Sequence, residues 1–122
     1  MADEITISAA VRLLRSNADI GLSQIARQFD QAGTKYCRHR QTIGVAEEAL
    51  VKGEVATPGY IIAVNLDPTN FVSIRPGTGL ANTVRLDANF GPAVFRFGSG
   101  ATNPFAIADT APCEIDYLLL EA

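Results

Sequence analysis

Cys37 and His39 stand two positions apart, and the chain's second thiol is Cys113. On a strand, that spacing puts Cys37 and His39 on one face, where soft ligands could hold zinc. A closed zinc site needs three or four ligands. The chain offers one His and two Cys in all, with Cys113 remote in sequence. The expectation is therefore no metal site, only a partly buried Cys beside an exposed His. Arg75-Pro-Gly-Thr-Gly and Gly98-Ser-Gly-Ala-Thr are rich in glycine, but a phosphate cradle needs a following Lys-Ser/Thr and a helix. Neither follows, so both read as turns. Glu47, Glu48, Asp87, Asp109, Glu114 and Asp116 are the acids available for proton transfer. No motif sets a nucleophile or base beside them, and they read as solvated charge. No catalytic, cofactor-binding or metal-ligating residue is assigned, and the chain reads as a non-enzyme.

The composition points the same way. The chain has 122 residues, 48% hydrophobic and 19% charged. That is one domain's worth, with enough apolar surface for a core and too much for disorder. The net charge of −3 argues against a broad nucleic-acid face. Six of the ten basic residues (Arg12, Arg15, Arg27, Lys35, Arg38 and Arg40) fall in the first 40 positions. They could meet an acidic partner, although solvated charge explains them as well. No run reaches the length of a membrane helix. The first residues carry two acids and no basic stretch, so no secretory signal is expected and the two cysteines read as free thiols.

The elements that position these residues read as strands. Ile5 to Leu13 alternates with period two, ahead of turn chemistry at Ser16-Asn17-Ala18-Asp19. Tyr36 to Ile43 is a strand with Arg38, Arg40 and Thr42 on one face and Cys37, His39 and Gln41 on the other. Val45 to Leu50 has room for about one helical turn or a loop. Tyr60–Leu66 and Phe71–Arg75 read as a paired hairpin closed by Asp67-Pro68-Thr69-Asn70, with Asn65, Asp67, Pro68 and Asn70 serving the turn. Further strands are expected at Thr83–Leu86, Ala93–Phe97, Phe105–Ala108 and Glu114–Leu120. Short strands with Gly/Pro turns at this spacing predict an all-β fold. The expected form is one antiparallel β-sandwich over residues 1–122, jelly-roll-like or Ig-like, of about eight or nine strands.

One stretch offers an alternative. Leu22, Ile25, Ala26 and Phe29 fall at helical spacing, and with Lys35 to Arg40 they sketch a helix-turn-helix of a DNA-binding regulator. Asp30, Gln31 and His39 misfit its turn and core slots. A strand with a bulge near Gln24 explains the same residues. The last strand carries a different signal. Ile115, Tyr117 and Leu119 share one face, while the other begins polar with Glu114 and Asp116 and turns apolar at Leu118 and Leu120. A solvent face would not normally do that. A loop or another subunit must cover it, and Tyr117, Leu118 and Leu120 are the candidate interface.

Four segments together resemble small virion proteins of tailed bacteriophages. They are Gln41-Thr-Ile-Gly, Glu47-Glu48-Ala-Leu, Gly53-Glu-Val-Ala-Thr-Pro-Gly-Tyr and Asn65-Leu-Asp-Pro-Thr-Asn-Phe-Val. Ala93-Val-Phe-Arg and the closing Glu114-Ile-Asp-Tyr-Leu-Leu-Leu-Glu fit the same pattern. The resemblance implies a compact β-sandwich and a non-enzymatic structural role without a cofactor. It implies a capsid decoration (cement) protein on the head exterior, with a tail, neck or fibre-associated protein as the alternative. Such a protein is assembled in host cytoplasm, resides in the virion and contacts identical copies and major capsid or tail proteins, with no membrane and no specific nucleic acid. A carbohydrate-binding module is a further alternative, but such modules stack sugars on exposed aromatics, and this chain has no Trp and three Tyr.

Overall fold

The computed structural model describes residues 5–89, 91–98 and 100–122, with the backbone alone for 24–27. It is all-β. Among the described residues ten strands form three antiparallel sheets and no helix occurs. The single pair of sheets expected from the sequence is therefore corrected to a two-stranded sheet and two four-stranded ones. No boundary was legible in the sequence, but the contacts divide the chain into two compact units, Met1–Ala32 and Gly33–Ala122.

The first unit is a long hairpin of β1 (Ile5–Arg15) and β2 (Ala18–Phe29). Arg15 pairs with Ala18, so the turn is only Ser16-Asn17, shorter than the four residues expected, and Asp19 lies in the strand opposite Leu14. Two-residue turns match the right-handed strand twist and need positive φ. Ser16 supplies it at φ 50°. The register steps between Ile7↔Arg27 and Ala9↔Gln24, so Ser8 faces two residues of β2. This bulge accounts for the helix-like spacing. An extra residue shifts the alternation, and Leu22 and Phe29, seven apart, arrive on the same face opposite Val11 and Ile5. The helix-turn-helix alternative is thus corrected: Leu22 to Phe29 lies in β2 and Tyr36 onward in β3.

The second unit holds two four-stranded sheets. The first has the order β3 (Tyr36–Ile43), β10 (Cys113–Glu121), β5 (Pro58–Asn65), β8 (Ala93–Arg96). The second has the order β4 (Glu48–Ala49), β9 (Phe105–Ala108), β6 (Val72–Arg75), β7 (Val84–Leu86). Ile43, Ile61, Ile115, Tyr117 and Leu119 from the first sheet share one buried cluster with Val72, Ile74, Leu86 and Ala106 from the second. The helical turn expected near Val45–Leu50 is a bend leading into β4, whose Glu48 and Ala49 pair with Ala106 and Phe105. A ladder on β9 and the bond from Leu50 N–H to the Pro104 carbonyl (2.9 Å) satisfy that backbone instead of a helix.

The expected hairpin of Tyr60–Leu66 with Phe71–Arg75 is also corrected. β5 pairs with β10 and β8, and β6 pairs with β7 and β9, in the other sheet. Both edges of both strands are already taken, so the connection arches from one sheet to the other, about 10 Å away. Its turn chemistry is as expected. The Asp67 carboxylate accepts the Thr69 and Asn70 N–H groups at 2.9 and 2.6 Å, and the Asn65 carboxamide accepts the Asp67 N–H at 2.9 Å. The Pro68 carbonyl accepts from Asn89 Nδ2 at 2.8 Å. Replacing both Asp67 and Asn70 by Ala should lower the urea midpoint without altering the far-ultraviolet circular dichroism. An unchanged midpoint would show that the arch holds without them.

Candidate interaction surface

β10 is the strand on which the sequence placed an interface, and the structure puts it in the middle of its sheet, between β3 and β5. It is not an open edge. Tyr117, read as an interface residue, is corrected to a core residue and is 2% exposed. Its ring meets His39 edge-on at 6.1 Å, and its hydroxyl lies 3.0 Å from Gln41 Oε1 and within reach of the Val51 carbonyl. Burial pushes its phenol pKa up. The strand period is the reason: Tyr117 shares parity with Ile115 and Leu119, and that parity faces the second sheet.

Leu118 and Leu120 face the other way and are half-buried. Register places Leu118 between Arg38 of β3 and Ile62 of β5, and Ile62 beside Val94 of β8. The next row sets Asp116 between Arg40 and Val64. The outer face of this sheet thus has an aliphatic centre, with Ile62 42% and Val94 39% exposed. A shallow hollow of about 400 Å³ lies there, lined by Ile62, Val64, Pro92 and Leu118 with Arg38 and Asp116. Arg38 forks onto Asp116, its Nη2 at 2.9 Å from Oδ2, and Arg40 sits 3.8 Å from both Glu114 and Asp116. The Arg38 hydrogen bond holds the Asp116 carboxyl below its usual pKa. The charges at this rim therefore neutralise one another. The Leu118 and Leu120 parity was legible in the sequence. Ile62 and Val64 carry a signal of their own, since Tyr60–Leu66 is apolar at both parities, whereas Val94 joins them only through the β5–β8 pairing.

The hairpin presents a second aliphatic face. Val11 and Leu13 of β1 lie opposite Leu22 and Ile20 of β2. Val11 is 75% and Leu22 74% exposed, and Leu13 and Ile20 are exposed as well. The opposite face carries the Arg12–Asp19 pair, with Nε–Oδ1 at 3.0 Å and Nη2–Oδ2 at 2.8 Å.

The acids outside this face mostly hold loops together. Glu47 accepts the Thr78 hydroxyl at 2.5 Å, the Gly79 N–H at 3.0 Å and the Arg75 guanidinium, clamping the β6–β7 turn. Gly79 sits at φ 71°, so its backbone turns in a way few side chains tolerate. Glu48 accepts from Gln41 Nε2 and the Gly44 N–H. Asp87 pairs with Arg85. Lys35 lies 3.4 Å from Glu54, so the early basic residues Arg12, Lys35, Arg38 and Arg40 each face an acid. Glu121, not singled out from the sequence, gathers three backbone N–H groups: Thr34 and Ala56 at 3.1 Å and Lys35 at 3.4 Å. Cys37 and Cys113 are free thiols at opposite ends of the β3–β10 ladder. Burial raises the pKa of both, which leaves them poor nucleophiles at neutral pH. Among the described residues no three His, Cys, Asp or Glu side chains converge on one point.

These carboxylates predict acid lability. The hydrogen bonds that lower the pKa values of Glu47, Asp67, Asp116 and Glu121 favour the charged form in the folded state. Their contribution is complete above the ordinary carboxylate values of 3.8 and 4.5 and is lost as pH falls toward the lower folded values. Thermal midpoints should be flat from pH 7 to about 5 and fall below that. Glu47→Gln should show a lower midpoint at pH 7 and a shallower fall in acid. An equally steep fall in the variant would exclude Glu47 as a contributor.

No helix among the described residues is long and apolar enough to cross a membrane. Comparison with protein-family models, with curated proteins and with solved structures finds no match for this chain.

Proposed function

We propose that the chain is a non-enzymatic structural protein of a tailed-phage virion, acting as a capsid decoration protein that stabilises the head through protein–protein contacts. We read its second unit as a β-sandwich, jelly-roll-like or Ig-like, serving as the rigid body of that protein. The carrying observation is the hairpin of β1 and β2, whose Val11, Leu13, Ile20 and Leu22 stand exposed on one face. A two-stranded ribbon is marginal alone in water and gains stability by packing on another surface. A lattice contact supplies such a surface, and the neutralised, aliphatic outer face of the body's first sheet suits the same use. The resemblance to small virion proteins, which is strongest from Gln41 to Val72, supports the reading from the sequence side. Its partners are identical copies and a major capsid protein.

The test is localisation. Purified particles would be examined by electron microscopy with a label on the C-terminus, and copy number measured against the major capsid protein. Regular density on the head exterior, at a fixed ratio to the capsid protein, is the expected result. Label on the tail, neck or fibres would transfer the protein to the alternative site. Its absence from purified particles would overturn the virion reading altogether.

A further inference from the structure

We propose that two copies of this chain exchange their hairpins, the aliphatic face of each β1–β2 arm lying on the outer face of the other copy's β3-β10-β5-β8 sheet. This goes beyond the virion reading and rests on it only in treating the protein as one that assembles. Each copy carries two aliphatic surfaces of matching character. On the arm, Val11 and Leu13 lie opposite Leu22 and Ile20, flanked by Ala9 opposite Gln24 and Ile7 opposite Arg27 on one side and by Arg15 opposite Ala18 on the other. On the sheet, Leu118, Ile62 and Val94 lie side by side in register, and Leu118 and Ile62 line, with Val64 and Pro92, the hollow of about 400 Å³. That hollow can receive protruding aliphatic side chains.

Charge selects the occupant. Arg38 and Arg40 are matched by Asp116 and Glu114, and Arg12 by Asp19 on the arm's opposite face. The surface therefore offers little to a phosphate backbone or an acidic segment, and suits the aliphatic stretch of the ribbon where Val11 and Leu13 lie opposite Leu22 and Ile20, which this chain carries in equal number. Dimensions select the arrangement. The arm's 11-residue β1 spans about 35 Å, and a two-stranded ribbon is about 10 Å wide, so one arm face covers on the order of 350 Å². Arm against arm would bury only that much on each partner. A reciprocal exchange buries one arm and one sheet face per copy, about 700 Å², close to the ~800 Å² per partner of a stable interface. A two-fold dimer follows, with the same contact made twice.

The experiment uses the full chain with Cys37→Ser, which removes the more accessible thiol and leaves the buried Cys113. One preparation carries Leu13→Cys and the other Ile62→Cys. They are mixed in equal amounts, oxidised and analysed for disulfide pairs, alongside sedimentation of the unmodified protein. The expected result is a dimer in which the 13–62 pair dominates over 13–13 and 62–62. Leu118→Glu should weaken the dimer by about 30-fold or more with unchanged circular dichroism. Val94→Glu, at a more exposed position on the same face, serves if Leu118→Glu does not fold. Dominant 13–13 pairing, a monomer at all concentrations, a 13–62 bridge formed within one chain when both substitutions are combined, or a dimer indifferent to the face variants would overturn the exchange. A monomer found in regular array on particles would sink this inference and leave the virion reading standing. A dimer absent from particles would do the reverse.

Discussion

Replacing Leu119 by Ala should lower the stability of the body by about 2–5 kcal/mol, the range for deleting a buried leucine side chain whose surroundings relax only in part. Leu119 is fully buried on the central strand of its sheet, with Cys37 beside it on β3 and Ile61 on β5. Its neighbour Leu118 is the contrast. It has the same side chain on the same strand but points outward, and Leu118→Ala should cost about 1 kcal/mol or less in the isolated chain. Urea unfolding of both variants at one protein concentration measures the difference. Equal losses would mean that the two faces of β10 are equally enclosed, and the outer face would cease to be a candidate surface. Self-association would add to the apparent loss at Leu118, so the comparison should be repeated at low concentration, where mass action removes that contribution.

Asn65→Ala should cost about 3 kcal/mol, a large loss for removing one small polar side chain. Asn65 is 5% exposed at the end of β5. Its Nδ2 donates to the Asn70 carbonyl at 2.8 Å and to the Leu86 carbonyl at 3.0 Å, while its Oδ1 accepts the Asp67 N–H. Leu86 ends β7 in the second sheet, so this one carboxamide ties both sheets to the arch between them. Truncation leaves backbone groups unpaired in a place water reaches poorly, and the penalty is set by those groups more than by the bonds lost. Asn65→Asp should be at least as damaging at neutral pH, because a carboxylate would face two carbonyl oxygens where a donor is required. A midpoint for Asn65→Asp close to the parent would show that the bonds to Asn70 and Leu86 contribute nothing in solution.

The strands were legible because each is a local pattern. Tyr36 to Ile43, Phe105 to Ala108 and the last strand follow from alternation and from the turn residues that bound them, and these act over a few positions. The two faces of β10 were legible for the same reason, since parity is a property of the strand alone. Asn65, Asp67 and Asn70 were legible as turn residues because Asx side chains bond backbone two or three positions away. The partners of each strand were not legible. β5 and β6 are joined by a turn that would serve a hairpin, and only the prior claims of β10 and β8 on β5, and of β7 and β9 on β6, send them to different sheets. Pairing is a competition among distant segments, and no window of sequence contains the competitors. The same holds for Tyr117, whose inward direction depends on which side of its sheet the second sheet lies. It holds for Glu121, whose three N–H partners come from loops far away in the chain. The bulge in β2 opposite Ser8 shows the boundary most plainly. The sequence of β2 by itself carried both a helical spacing and a bulged strand, and the choice fell to β1, whose ladder pairs one edge of Ala18–Phe29. Composition and local period determined that this chain is a β protein with aliphatic residues to spare, and long-range pairing decided which of those residues are core and which stay exposed.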